Sequence, residues 1–431
     1  MAIYPNSPPH ERLDVFFGEF FREMRKADPA TYGAFLNRAE EEFTRLGYRE
    51  EISAGVENIL IVRFDGIGDM ILTSGFLREV RANFPKARIT LVIFSKVYSV
   101  VELCPYINEV LVFPVDNPLT LSFLDLLETI AIFCRDNNFW QKKFSIAFSP
   151  RWHNDDPLSA LLLCWLSGAR ERIGYGTNPY TSWTNAPVPP IDNFLLTKNI
   201  VTPRSVISDA EKNFYLLAAS GFKVNETHME LFYGAEDLQQ AKIFLKNIPV
   251  SRKKVLLGIG GGTSASKKYP IEKYLIALKK LAKKDLVFII VGGQAEMTDA
   301  EFIENNLPSG KVLNLVGKTT LRETEAVVSQ ANFYIGNDTG VMHMASAAQV
   351  PVLIIYSEAK DKENNLAGIM SSYGRFPPYK TKYVALRPDH QLDECAKLGA
   401  TFGWCHSKEA HCITQITPQE IITNFETLQR L

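Results

Sequence analysis

The chain opens with large apolar residues recurring at helical spacing. Leu13, Phe16, Phe17, Phe20, Phe21 and Met24 fall on one face, with Arg12, Arg22, Arg25 and Lys26 on others, which predicts an amphipathic helix. A second helix is expected over 29–46. From residue 58 the pattern changes to short apolar runs alternating with helical periodicity. Strands are expected at 59–63, 88–94, 109–113 and 144–148, and helices at 70–83, 123–137 and 158–166. Arg172-Ile173-Gly174-Tyr175 begins an irregular, Pro- and Asn-rich stretch that runs to about 204, and 208–220 reads as helix again. The pattern resets over 223–249. Strands at 255–259, 286–291, 312–315, 333–335 and 352–355 then alternate with helices at 271–283, 321–330 and 341–349.

Two successive βα series predict two doubly wound, mostly parallel α/β sheets. The expected organisation is an N-terminal helical extension over 1–55 and Rossmann-like domains over 56–230 and 231–431. A ligand belongs in the cleft where the carboxyl ends of the two sheets face each other. The extension is expected to pack as a helical pair on the main body. Its aromatic stripe with basic neighbours keeps a membrane-surface role open.

Composition narrows the class. Hydrophobic residues make up 46% of the 431 and charged residues 22%, as in soluble globular proteins. The net charge of −1 gives no electrostatic case for nucleic acid. No apolar run approaches the roughly 20 residues needed to span a bilayer. The start, MAIYPNSPPHERLD, lacks the basic and apolar regions of a secretory signal. Cys104, Cys134 and Cys164 lie in apolar surroundings, so a reducing, cytoplasmic compartment is expected. Cys395, Cys405, His406, His411 and Cys412 match no standard zinc spacing, and a structural cluster is favoured over a metal site.

Three loops carry candidate chemistry. In the first, an apolar run ends in Arg63-Phe64-Asp65, followed by Gly66-Ile67-Gly68 and then Asp69, which opens a helical pattern. Asp69 reads either as a helix cap, worth about 1 kcal/mol, or as a general base. As a base at a helix start it would be kept ionised by the dipole, with a low pKa. In the second, Gly258-x-Gly260-Gly261-Gly262-Thr263 could cradle phosphates through backbone amides. It lacks the spacing of a dinucleotide fingerprint or a P-loop. Lys267 and Lys268 follow, as solvated lysines or as cations for a diphosphate. The third is Asn337-Asp338-Thr339-Gly340, leading into a helix of small residues with His343 one turn in. Its free amides and dipole suit an anion, and the alternative reading of Asp338 is a helix cap. After a fourth strand, Arg151, Trp152, His153, Asn154 and Asp155 form either an acceptor pocket or a polar strand end.

Taken in order, ILIVRFDGIGDMILT, RERIGY at 170–175, GTSASKKYP, VGGQAE and GNDTGVMHMASA resemble glycosyltransferase family 9, the bacterial heptosyltransferases of lipopolysaccharide core synthesis. The resemblance spans 58 to the C-terminus. It implies a GT-B fold, with two Rossmann-like domains facing across a cleft and the donor held mostly by the second. Gly68, Arg151 and Asp155, from their places after strand ends, are expected on the acceptor side. The resemblance implies Asp69 as base. It places Thr263, Lys267, Glu296, Asp338, Thr339, Gly340 and His343 at the nucleotide sugar. Tyr269 stands where the family often has Trp. The activity implied is inverting, metal-independent and cofactor-free transfer from ADP-heptose to a saccharide or glycolipid acceptor, with peripheral contact at the inner membrane. A GT-B epimerase or hydrolase, or a non-catalytic binding protein, would use the same halves.

Overall fold

The computed structural model describes residues 7–49, 57–152, 155, 157–176, 195–203, 205–262, 264–362, 372–392 and 409–431. Two six-stranded sheets organise it. The first contains β1 Asn58–Arg63, β2 Arg88–Ile93, β3 Glu109–Val112, β4 Ile146–Ser149, β5 Glu171–Gly174 and β6 Lys198–Asn199. Its order is β3-β2-β1-β4-β5-β6, and every pair is parallel. The second contains β7 Lys253–Gly258, β8 Leu286–Ile290, β9 Val312–Asn314, β10 Phe333–Asn337, β11 Val352–Ile355 and β12 Tyr383–Leu386. Its order is β12-β11-β10-β7-β8-β9, again parallel throughout. Counted from its own first strand, the second sheet repeats the order of the first. The fold is therefore GT-B: two Rossmann-type halves.

This order places the site. Strand order reverses between β1 and β4 in one sheet and between β7 and β10 in the other. Loops leaving adjacent strands there diverge to opposite faces and open a crevice at the carboxyl ends. The three candidate loops leave β1, β7 and β10. Central strands covered on both faces read as unbroken apolar runs, and Ile59 through Val62 are fully buried.

The N-terminal helices occupy Pro9–Met24 and Tyr32–Arg45, separated by a short turn at Pro29–Thr31. The Asp28 side chain caps that turn by accepting from the Ala30 amide at 2.9 Å. Their apolar stripe is built into the core of the first half. Phe17 stacks on Trp140 with ring centroids 5.4 Å apart, and Phe43 meets Trp165 edge-on at 6.0 Å. Glu40 accepts from the Trp165 indole at 2.6 Å and from both ends of the Arg49 guanidinium. The stripe is thus spent on packing, and a membrane-surface role for it is set aside. No helix among the described residues is long and apolar enough to cross a membrane.

One local expectation is corrected. The segment 172–175, read as the start of irregular chain, instead belongs largely to strand β5 (Glu171–Gly174), which lies between β4 and β6. Arg172 interrupts its apolar pattern yet is buried, because its guanidinium donates to the carbonyls of Leu195 and Ala169 at 2.9 and 3.0 Å. The Glu40 carboxylate, 3.6 Å away, supplies the opposite charge, so a buried arginine is possible there.

Candidate active site

The helix after β1 spans Ile67–Asn83 and starts two residues before Asp69, with Gly66 as its cap. Asp69 is therefore not the capping residue itself. Its carboxylate reaches back to accept the Gly66 amide at 3.3 Å, half of a capping box. The helix after β10 spans Gly340–Ala347. The starts of these two helices meet across the cleft. A Cβ on Gly68 would lie 2.7 Å from Cδ2 of His343, and one on Gly340 would lie 3.0 Å from Cγ2 of Ile67. A methyl at Gly68 would force this contact apart, and one at Gly340 would make Ile67 give by a few tenths of an ångström.

Two cavities adjoin along that contact. The larger, about 540 Å³, runs between the β1 loop, Gly258 to Gly262, the Gly292-Gly293 loop and the 340–344 turn, with Glu296 and Lys96 on its walls. The smaller, about 210 Å³, is lined by Gly68, Asp69, Gly261, Gly262, Lys267, Asp338, Thr339, Gly340, His343 and Phe376. The smaller cavity thus gathers the Asp69 of one half with the Lys267, Asp338 and His343 of the other. Glu296 belongs to the larger one, where its carboxylate accepts the Gly293 amide at 2.9 Å. It lies close enough to Gly260 that a Cβ there would meet Oε1 at 2.8 Å. Thr263 lies outside the described residues, as do His153, Asn154, Cys395, Cys405 and His406.

Charge in the small cavity is balanced in pairs. Lys267 Nζ donates to Asp338 Oδ2 at 2.7 Å. Burial works to lower the lysine's pKa, but the charge and hydrogen bond of Asp338 outweigh it, so the ammonium is held charged. Burial pushes the His343 imidazole down to about 4. It is a neutral ring, able to offer one N–H but no positive charge. Asp69 differs from expectation: burial, reinforced by Asp209 and Asp155, raises its pKa above the ordinary carboxylate value, with Arg63 opposing. The helix start does not depress it. A carboxylate raised in this way is the stronger base.

Beneath Asp69 lies a layer of ion pairs and hydrogen bonds that joins Arg63, Asp65, Arg151 and Asp155 to Arg375, which no motif marked. Arg63 is 2.9 Å from Asp65 Oδ2 and 3.9 Å from Asp69 Oδ1. Arg151 bonds the Phe64 carbonyl, the Asp65 carboxylate and the Asp155 carbonyl. The Asp155 carboxylate faces Arg375 at 2.9 Å. Arg151 and Asp155 thus stand in the scaffold under the β1 loop, and neither lines the two cavities. Asn337, fully buried, ties the other floor together. Its amide donates to the Ile259 and Gly260 carbonyls at 3.2 and 2.8 Å, and its oxygen accepts the Tyr274 hydroxyl at 2.9 Å. The signal for Asn337 was present in the Asn-Asp-Thr-Gly motif; for Arg375 there was none. In the tail, Cys412 is buried with its sulfur 3.4 Å from His411 Nδ1. Among the described residues no three His, Cys, Asp or Glu side chains gather as metal ligands.

Two Rossmann-type halves, with a carboxylate on one facing a cation and a helix start on the other, define a GT-B glycosyltransferase. The family model for glycosyltransferase family 9 (heptosyltransferase) matches residues 161–402, and the chain belongs to that family. A Haemophilus influenzae protein, itself provisionally named a glycosyltransferase, is 25% identical over 317 residues, covering 72% of this chain and 84% of that protein. Lipopolysaccharide heptosyltransferase 2 of Salmonella typhimurium is 20% identical over 86% of this chain and 98% of its own length. The glycosyl transferase family 9 structure from Veillonella parvula superposes with a TM-score of 0.68 at 18% identity, covering 88% of this chain and 99% of that one.

Proposed function

We propose that the chain transfers a heptose from ADP-heptose to a saccharide or glycolipid acceptor, with inversion and without a bound metal. The observation that carries this reading is the small cavity, which sets Asp69 opposite Lys267, Asp338 and the start of the 340–347 helix. The larger cavity, with Glu296 on its wall, suits the nucleoside. In the proposed reaction an acceptor hydroxyl oxygen bonds to the anomeric carbon from the Asp69 side. The bond from that carbon to the diphosphate oxygen breaks, and the hydroxyl proton passes to the Asp69 carboxylate. Negative charge grows on the departing nucleoside diphosphate, where Lys267 and the unsatisfied amides of the helix start are aimed. Thr339 and Gly340 begin that turn, and Gly68 lets the acceptor-side helix start come up against His343. The family's relatives include lipopolysaccharide heptosyltransferases, which favours a lipid-linked glycan as acceptor and work at the cytoplasmic face of the inner membrane.

Asp69→Asn tests the reading. It should lower turnover by about 10²–10⁴-fold, the usual contribution of a positioned base, while ADP binding measured by calorimetry stays as in the parent. Turnover close to the parent's in that variant would remove Asp69 as the base.

A further inference from the structure

Phe376 has no part in the chemistry above, yet its ring is the one fully apolar side chain on the wall of the small cavity. Four of the ten lining positions are glycines, and the remaining side chains are polar: Asp69, Lys267, Asp338, Thr339 and His343. The diphosphate is assigned to the side of the cavity with Lys267 and the helix start. The sugar attached to it then lies toward Asp69, within the same small cavity that Phe376 lines.

The ring is held in place from several directions. The turn at Ser372–Arg375 is capped by Glu358, whose carboxylate accepts the Ser372 and Tyr373 amides at 2.8 and 3.1 Å. The Phe376 amide donates to the Ser372 carbonyl at 2.8 Å, and the Phe376 carbonyl accepts the Tyr356 hydroxyl at 3.0 Å. The neighbouring Arg375 is fixed to Asp209 and Asp155 of the other half, with its guanidinium 4.7 Å from the Phe376 ring centre. His343 meets the ring edge-on at 6.2 Å. A pyranose carries hydroxyls round its rim and C–H groups on its faces. A fixed aromatic face beside a rim of polar groups complements both.

We propose that Phe376 is the apolar wall on which the transferred sugar lies, and that it selects the donor by its sugar. This rests on the functional reading above. The test titrates the full chain with ADP and, separately, with ADP-heptose in the absence of acceptor, in the parent, Phe376→Ala and Phe376→Tyr. The parent should bind ADP-heptose more tightly than ADP. Phe376→Ala should weaken ADP-heptose roughly tenfold, the effect of about 1.4 kcal/mol, and leave ADP unchanged. Phe376→Tyr should keep the parent's preference. Should Phe376→Ala fail to fold, Phe376→Leu, apolar but without a flat face, is read by the same ratio. An equal loss for ADP and ADP-heptose, or no loss for either, overturns the proposal. So does a parent that gains nothing from the sugar while binding ADP. A parent that binds neither compound overturns the functional reading, and this inference with it.

Discussion

Arg375→Met removes the guanidinium that joins the two halves beneath the site. Arg375 is 1% exposed. It donates to Asp209 Oδ1 and Oδ2 at 3.1 and 2.6 Å and to Asp155 Oδ1 at 2.9 Å. Methionine keeps the apolar contact with Trp152 and Phe376 but leaves two carboxylates without their cation. Removing one partner of a buried ion pair costs about 3–5 kcal/mol. The lower end applies here. The Asp155 side chain is 22% exposed and can rehydrate, and Lys212 stays 2.7 Å from Asp209. About 3 kcal/mol at pH 7 is expected. The pH dependence has a definite sign. Asp209 suffers a burial penalty that Arg375 and Lys212 outweigh, so its pKa is held well below the usual carboxylate range. A depressed pKa contributes stability above the unfolded value of about 3.9, lost as pH falls through the folded value. The gap between parent and variant should therefore be full at pH 6–7 and shrink as the pH drops below about 4. Urea unfolding followed by circular dichroism across that range measures it. Adding Asp155→Asn to the variant removes one stranded charge and should recover part of the loss, a non-additive result. A deficit under about 1 kcal/mol at pH 7, or one that stays the same as the pH is taken well below the unfolded value of about 3.9, would refute the clasp as described.

Three further outcomes follow from the geometry. Gly68→Ala places a methyl 2.7 Å from the His343 ring; overpacking of this kind costs about 1–3 kcal/mol, and by spreading the helix starts it should lower kcat more than it lowers the melting temperature of the free chain. Because burial raises the Asp69 pKa, kcat should climb with pH along an acidic limb centred above the ordinary Asp value of about 3.9; a limb at or below that value would show that Asp69 is solvated during turnover. Phe17→Ala, emptying a site that is 3% exposed and stacked on Trp140, should cost about 3–5 kcal/mol in chemical denaturation, whereas a loss near zero would mean that the first helix does not belong to the core.

The sequence disclosed those elements whose burial is simple. The helix at Leu158–Leu166 and strand Val352–Ile355 are buried along their lengths, and their apolar runs mark both ends. Elements that mix burial with polarity were harder to read. The helix Ala235–Leu245 buries little beyond Asp237 and Ala241, so it left no apolar stripe to find. Strand Tyr383–Leu386 lies at the sheet edge and is mostly half-exposed. The helix start at Ile67 was placed three residues late because Gly-Ile-Gly carries no helix propensity to announce it. At the site, loop motifs pointed to Asp69, Lys267, Asp338 and His343, which line the small cavity; Asp69 and Asp338 follow strand ends, while Lys267 closes the turn Ala265–Lys267 and His343 sits one turn into its helix. Arg375 pairs with partners 166 and 220 residues away, and no local pattern encodes such a contact.

The duplicated topology explains why the chemistry divides as it does. Each sheet opens a crevice at its own reversal of strand order, and each crevice begins with a helix start. Two helix starts facing each other would both favour anions, and a single bound diphosphate can satisfy only one. The first half resolves this by putting a carboxylate at its own helix start, where Asp69 accepts the Gly66 amide. Arg63 beneath it limits the charge left over. The second half leaves its start uncapped: the Thr339 side chain makes no capping bond, and Asp338 faces Lys267 instead. One half thus carries its own anion and the other is free to take one. That asymmetry is what sets the proposed acceptor side apart from the proposed donor side in two sheets of identical order.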